Sequence, residues 1–269
     1  MGDISKKLQP VRGLLNQHVS MQHFDLLRIE PSLDLADFVE NYWIITWDLS
    51  GKPDYVQQNL PYANLHLVID PFATSGIFGV HTGVFDYRLC GAGRLIGAKF
   101  KAGAFSAFSN LPAVSLQDKH MAIEKVFDVD VAGLQREFLA LENLEEASSL
   151  IENMLLQKNP KLNANAKNAG ELVELISNSP EILSMEHFSD HAGMSVRSLQ
   201  RLFEKYVGVA PKWVIERYRM LAAVDALNRG KNINLTQLAH DLGYYDSSHF
   251  GRVFKELTGA APSSFVSGG

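Results

Sequence analysis

A pattern written twice between residues 183 and 262 constrains this chain more than any other feature. One copy ends Leu199-Gln200-Arg201-Leu202-Phe203-Glu204-Lys205-Tyr206-Val207-Gly208-Val209-Ala210-Pro211. The other ends Phe250-Gly251-Arg252-Val253-Phe254-Lys255-Glu256-Leu257-Thr258-Gly259-Ala260-Ala261-Pro262. Arg201, Phe203, Gly208 and Pro211 recur as Arg252, Phe254, Gly259 and Pro262, each 51 residues later. Upstream the offset drops to 50, because Gly193 matches Gly243, so the second copy holds one extra residue in its turn. Similarity at a fixed spacing is the mark of a repeated structural unit.

Each copy reads as helix, turn, helix, over 185–206 and 235–258. Met185 to Ala192 predicts a short helix with Phe188 facing inward. Gly193 closes it, since glycine takes a left-handed backbone without strain. Ser195 then caps a second helix through its hydroxyl. That helix carries Val196, Leu199, Leu202, Phe203 and Tyr206 at spacings of three and four, an amphipathic stripe. In copy two Leu235, Leu238, Ala239 and Leu242 precede Gly243, the cap is Asp246, and Phe250, Val253, Phe254 and Leu257 form the stripe. Two short helices around a glycine turn suit double-stranded DNA, because the second helix fits the major groove. Pro211 opens a long helix between the copies, at a position where its missing N–H costs nothing. Its stripe is Val214, Tyr218, Leu221, Val224 and Leu227, and Gly230 ends it. About 19 residues at 1.5 Å each span roughly 28 Å, which sets two reading helices near one DNA turn, about 34 Å, apart.

The polar positions of the second helices are the candidate DNA-binding residues. Copy one offers Arg197, Ser198, Gln200, Arg201 and Lys205; copy two offers Ser247, Ser248, His249, Arg252 and Lys255. Arginine pairs with guanine and glutamine with adenine through two hydrogen bonds each. Copy two is poorer in long side chains, which suits backbone contact more than base reading. Lys212, Arg217 and Arg219 on the long helix are further candidates for phosphate contact. The formal net charge of −5 argues at first sight against a polyanionic partner. Residues 167–269 hold 11 basic and 11 acidic side chains, however, so the negative excess lies in residues 1–166. A neutral module binds DNA when its cations share one face, with weaker non-specific binding than a strongly basic one.

Length suggests two domains. Residues 11–110 look β-rich: Phe24–Ile29, Asn41–Asp48, Tyr55–Asn59, Ala63–Ile69, Gly76–Val80, Val84–Leu89 and Gly93–Phe100 read as short strands separated by turn residues. Pro31–Glu40 reads as a short helix. Residues 104–160 turn helical, with one amphipathic helix after Asp130 and another capped by the Asn143/Glu146 pair; these two could pack on their own domain or build a dimer interface. Residues 1–160 form the expected first domain, 161–167 the linker, and 168–269 the helical domain.

Composition also excludes several chemistries. One cysteine, Cys90, rules out an internal disulfide or a multi-cysteine zinc site and reads as a small buried hydrophobe. The histidines form no metal-binding array; His187 and His191 are four apart but lack a third ligand at the usual spacing, so no metal and no cofactor is expected. Gly91-Ala-Gly93-Arg-Leu-Ile-Gly97 misses the dinucleotide fingerprint by one residue and reads as tight turns. No apolar run reaches the ~18 residues of a membrane helix. Met1 to Pro10 lacks the apolar core of a signal peptide. A cytoplasmic chain with no membrane association is the expectation.

The duplicated unit resembles the AraC/XylS family DNA-binding domain. The resemblance rests on Gly193-Met-Ser-Val-Arg-Ser-Leu-Gln-Arg-Leu-Phe203, Gly208-x-x-Pro211, Arg217-Tyr-Arg-Met-Leu-Ala222, Leu242-Gly-Tyr244 and His249-Phe-Gly-Arg-Val-Phe-Lys255 with Gly259-x-x-Pro262. It implies a bacterial transcription regulator, an effector-responsive activator working with RNA polymerase, and no enzyme. The N-terminal part is similar to a sensor domain often fused to such modules, through Pro31-x-Leu33, Phe38-Val-Glu-Asn-Tyr-Trp43, Gln58-Asn-Leu-Pro61, His66-Leu-Val68 and Gly97-x-Lys99-Phe100. This implies an α+β, two-domain chain: a cupin-like β-barrel with helices, then an all-α domain of two helix-turn-helix units joined by a long helix. Trp43, Trp47, Tyr62, His66, Arg88 and Lys99 are the candidate lining of a small-molecule effector site. Two alternatives stand beside it: the first domain only forms a homodimer or docks a partner, or it is a metal-dependent cupin enzyme tethered to DNA.

Overall fold

The structure, a computed structural model, describes residues 14, 15, 17–229 and 233–266, without the side chains of His18, Arg229 and Val266. Gly230, expected to end the long helix, lies outside the described residues. After a short helix, α1 (Gln17–Ser20), come β1 (Asp25–Ile29), β2 (Val39–Asp48), β3 (Tyr55–Asn59), β4 (His66–Ile69), β5 (Gly76–Phe78), β6 (Phe85–Leu89), β7 (Ala92–Phe100) and β8 (His120–Met121). Six of them form an antiparallel sheet in the order β1-β2-β7-β4-β5-β8; β3 and β6 form a separate two-stranded ribbon, to which Leu14 adds a single bridge at Asn59.

The expected barrel is therefore not closed. The main sheet is open, and the β3–β6 ribbon packs over part of one face instead of completing a ring. The alternation along β2 shows how both faces are used, since successive side chains point to opposite sides of a strand. Tyr42 and Ile44 join Leu67, Ile69, Ile77, Ile96, Ala98 and Phe100 in the main core, against the helices. Trp43, Ile45 and Trp47 point the other way, with Leu95, Phe24, Tyr55, Tyr87 and Leu89 under the ribbon.

The glycines that nearly spell a dinucleotide fingerprint serve this second face. Trp43 is paired with Gly97 and Trp47 with Gly93 across β2 and β7. Each indole lies directly over its glycine, where a Cβ would collide with the ring. Only Gly91, with φ of 56°, is in a turn; Gly93 and Gly97 sit in mid-strand as seats for tryptophan rings. Two further expectations are corrected. Residues 33–38 form consecutive turns, with Phe38 N–H donating to Leu35 O at 2.9 Å, and not a helix. Cys90 is exposed, because β6 ends at the preceding Leu89 and the chain turns there; its carbonyl accepts from Trp47 Nε1 at 3.1 Å.

The helices are α2 (Val131–Ala140), α3 (Ser148–Gln157), α4 (Ala164–Asn178), α5 (Met185–Ala192), α6 (Val196–Tyr206), α7 (Pro211–Arg229), α8 (Leu235–Asp241), α9 (Ser247–Thr258) and α10 (Pro262–Val266). α4 begins inside the segment expected as a linker, because Asn163 caps it by accepting from Ala166 N at 2.9 Å. Ala166 and Ala169 are fully buried on its inner face. The approach is close: a Cβ at Gly170 would stand 2.7 Å from Ala102 O.

Both halves of the helical domain rest on the β domain. The first half shares one continuous core with it, from Phe100, Phe105 and Phe127 to Leu172, Phe188 and Phe203. The second gathers Met220, Leu221, Val224, Phe250 and Phe254 around Leu15 and Leu60. No helix of the described residues is long and apolar enough to cross a membrane.

Candidate nucleic-acid interface

The first helix-turn-helix unit is built by its end residues. Ser184 starts α5 by accepting from His187 N at 3.2 Å. Gly193 ends it at φ 60°, ψ 28°, and Met194 N–H reaches back to Ser189 O at 3.2 Å. Ser195 caps α6 by accepting from Ser198 N at 3.2 Å. Leu199, Leu202, Phe203 and Tyr206 are buried on one face, with Phe188 meeting Phe203 edge-on at 5.7 Å. The opposite face is left to solvent and carries Arg197, Ser198, Gln200, Arg201 and Lys205, all exposed.

The second unit repeats the construction with different chemistry. Asn234 caps α8 through two backbone amides, Gly243 turns at φ 71°, and Asp246 caps α9 by accepting from His249 N at 2.7 Å. Phe250 and Phe254 are buried, 5.6 Å apart. Ser248, His249, Arg252 and Lys255 are exposed and Ser247 is half-buried. Each unit thus presents one polar, cation-bearing helix face, and the 19-residue α7 joins them. No carboxylate pairs with Arg197, Arg201 or Arg252 among the described ion pairs. Unpaired cations beside hydroxyls and an amide, on a helix narrow enough for a major groove, form a surface suited to phosphate and base edges.

Two of the three long-helix candidates are placed elsewhere. Lys212 is exposed, with Glu216 at 3.8 Å. Arg217 is 1% exposed. Its guanidinium lies over Trp213, 4.6 Å from the ring centre, and donates to Thr82 O of the β domain. Arg219 donates from Nε to Leu242 O at 2.7 Å and lies over Tyr244 at 4.3 Å, so it braces the second unit's turn. Sequence spacing marks these residues as cations on a helix but not which face the β domain covers.

The proposed effector-site residues divide. Trp43 Nε1 donates to His66 Nδ1 at 3.3 Å. Lys99 Nζ sits 4.1 Å from the centre of the Tyr62 ring and 2.9 Å from Glu40. His66 faces Lys99 and Phe78 across its two neighbouring strands. Burial, with the Lys99 charge adding to it, holds the His66 imidazole down to about 3, so it is neutral. Tyr62 in turn meets Tyr218 of α7 edge-on at 6.0 Å. Trp43, Tyr62, His66 and Lys99 therefore form one cluster that touches the helical domain. Trp47 lies apart under the ribbon, against Phe72 and Tyr87. Arg88 is exposed and paired with Asp54. Sequence reasoning missed Arg28, which faces Trp43 across the β1–β2 pairing, and Glu40; strand register was the missing information. His187 and His191 both engage Glu181, at 3.2 Å through its carbonyl and 3.9 Å through its carboxylate.

Two helix-turn-helix units joined by one long helix define a double helix-turn-helix module. Residues 188–267 match the profile of a helix-turn-helix domain family, and the relatives the chain is similar to are AraC-family regulators. Residues 27–122 match a family described as a domain of unknown function, DUF6597. The chain is 28% identical over 117 residues to the HTH-type transcriptional activator RhaS of Escherichia fergusonii, covering 42% of each chain. It is 35% identical over 89 residues to XylDLEGF operon transcriptional activator 3 of Pseudomonas putida, covering 32% of this chain and 27% of that one. It thus spans less than half the length of these relatives. Among solved structures, a transcriptional regulator with an AraC-type DNA-binding domain from Chromobacterium violaceum is 25% identical, with a TM-score of 0.35, over 39% of this chain and 94% of that one. ToxT from Vibrio cholerae O395 is 14% identical, with a TM-score of 0.39, over 92% and 100%.

Proposed function

We propose that the chain is a cytoplasmic, sequence-specific DNA-binding transcription regulator that acts as an effector-responsive activator and has no catalytic role. The observation that carries the reading is the pair of exposed, cation-bearing helix faces on α6 and α9, held by one continuous helix. Two of the relatives the chain is similar to are named as transcriptional activators. Arg197, Gln200 and Arg201 read bases, while Ser247, Ser248, His249, Arg252 and Lys255 give backbone contacts and looser specificity. RNA polymerase is the second partner. The effector site is the Trp43–Tyr62–His66–Lys99 cluster, whose contact with Tyr218 gives a small molecule a direct route to α7.

Transcription in vitro from a promoter bearing the bound sequence tests the activator assignment. Transcript should rise when the full chain is added to RNA polymerase and template. Binding accompanied by a fall in transcript would make the protein a repressor.

A further inference from the structure

The two units differ in length at one place, and the structure identifies what was inserted. Copy one runs Gly193-Met194-Ser195; copy two runs Gly243-Tyr244-Tyr245-Asp246. Met194 packs half-buried against the core. Tyr244 takes the corresponding place, 8% exposed, with its ring 5.3 Å from Phe250 and under the Arg219 guanidinium. Ser195 and Asp246 then do the same capping work. The residue left over is Tyr245. It is 95% exposed and stands immediately before the cap of α9.

The fold gives no reason for a phenol at this position. An exposed ring contributes no burial energy, and turns favour small polar residues. Meanwhile α9 has lost side chains that α6 has. At the constant offset of 51, Arg197 becomes Ser248, Gln200 becomes Gly251 and Lys205 becomes Glu256, while Ser198 becomes His249 and Glu204 becomes Lys255; of the three cations on α6 only Arg201 keeps its type, as Arg252. The second unit is short of reach along the helix itself, while a long side chain with a hydroxyl donor projects from its leading end.

We infer that Tyr245 is a DNA-backbone contact of the second unit, its hydroxyl donating to a phosphate oxygen at the lip of the groove that α9 enters. The ring lies against the adjoining sugar. Neutral hydroxyl donors are common partners of phosphate in such interfaces and fix register without reading sequence. The inference rests on α9 being a groove helix, that is, on the regulator reading above.

The test is anisotropy titration of the full chain with a duplex recovered by selection and with a scrambled duplex. It compares wild type, Tyr245→Ala, Tyr245→Phe and Arg201→Ala. Tyr245→Ala should lose roughly 10- to 100-fold in affinity for both duplexes, the range for a hydrogen bond to a charged group. Tyr245→Phe should lose nearly as much on the scrambled duplex, because it lacks the donor. The slope of log affinity against log salt should not change, since no cation is removed. Melting temperatures should match wild type. Unchanged affinity of Tyr245→Ala, with Arg201→Ala impaired, would overturn the contact and leave the regulator reading standing. A loss confined to the selected duplex would make Tyr245 a base reader and overturn the backbone assignment. Wild type binding neither duplex would overturn the regulator reading itself.

Discussion

His66 shows how much one strand position can hold. Its ring accepts from Trp43, faces Lys99 and stays neutral down to about pH 3. The unfolded chain protonates this histidine near the usual 6.5. Below that value the unfolded state binds a proton that the folded state refuses, so stability is lost as pH falls from about 6.5 towards 3, at up to about 1.4 kcal/mol per pH unit. His66→Gln keeps an acceptor for Trp43 and does not titrate. Urea midpoints of the two proteins should diverge across this window, with wild type losing more; parallel curves would contradict the neutral assignment. At this scale the sequence was only partly legible. His66 and Lys99 stand out as polar residues in strands, but what each faces depends on pairings over 30 residues away. The same holds for Gly93 and Gly97, whose tryptophans come from another strand, and for Cys90, whose exposure follows from where β6 ends.

Elements whose ends are marked locally were read well. Gly193 and Gly243 do take the left-handed backbone, and Ser195 and Asp246 do cap α6 and α9. These signals act within a few residues, so no distant partner decides them. The helical spacing of acids and leucines in Pro31–Glu40 is equally compatible with the successive turns that lead into β2, and the chain adopts the turns. The reading face of α6 carries the prediction at this scale. Arg201→Ala should weaken binding to the selected duplex by about 1–3 kcal/mol and relax preference at one base pair. A uniform loss on selected and scrambled duplexes would instead mark Arg201 as a phosphate contact.

Across the whole molecule, both helix-turn-helix units are seated on the β domain, and α7 crosses the seam. Arg217 is sealed there with a carbonyl and an aromatic ring as partners, and its Nη1 has no hydrogen-bond partner among the described residues. Burial pushes its guanidinium down to about 10. Replacing a buried, incompletely paired charge by an apolar side chain of similar size is often neutral or stabilising. Arg217→Met should therefore keep or raise the urea midpoint, whereas Arg217→Ala leaves a cavity and should cost about 2–4 kcal/mol. A comparable loss in Arg217→Met would show that the guanidinium stabilises the seam. The open sheet and the extent of this seam were not legible in sequence, because strand pairing and domain packing are long-range choices.

A regulator of this kind requires α6 and α9 to act together on one duplex. The direct measurement is selection of bound sequences from random duplex DNA by the full chain at fixed salt. Two conserved blocks separated by about one helical turn, 10–10.5 base pairs between centres, are predicted. A single block, or no enrichment by either the full chain or residues 167–269 alone, would contradict it.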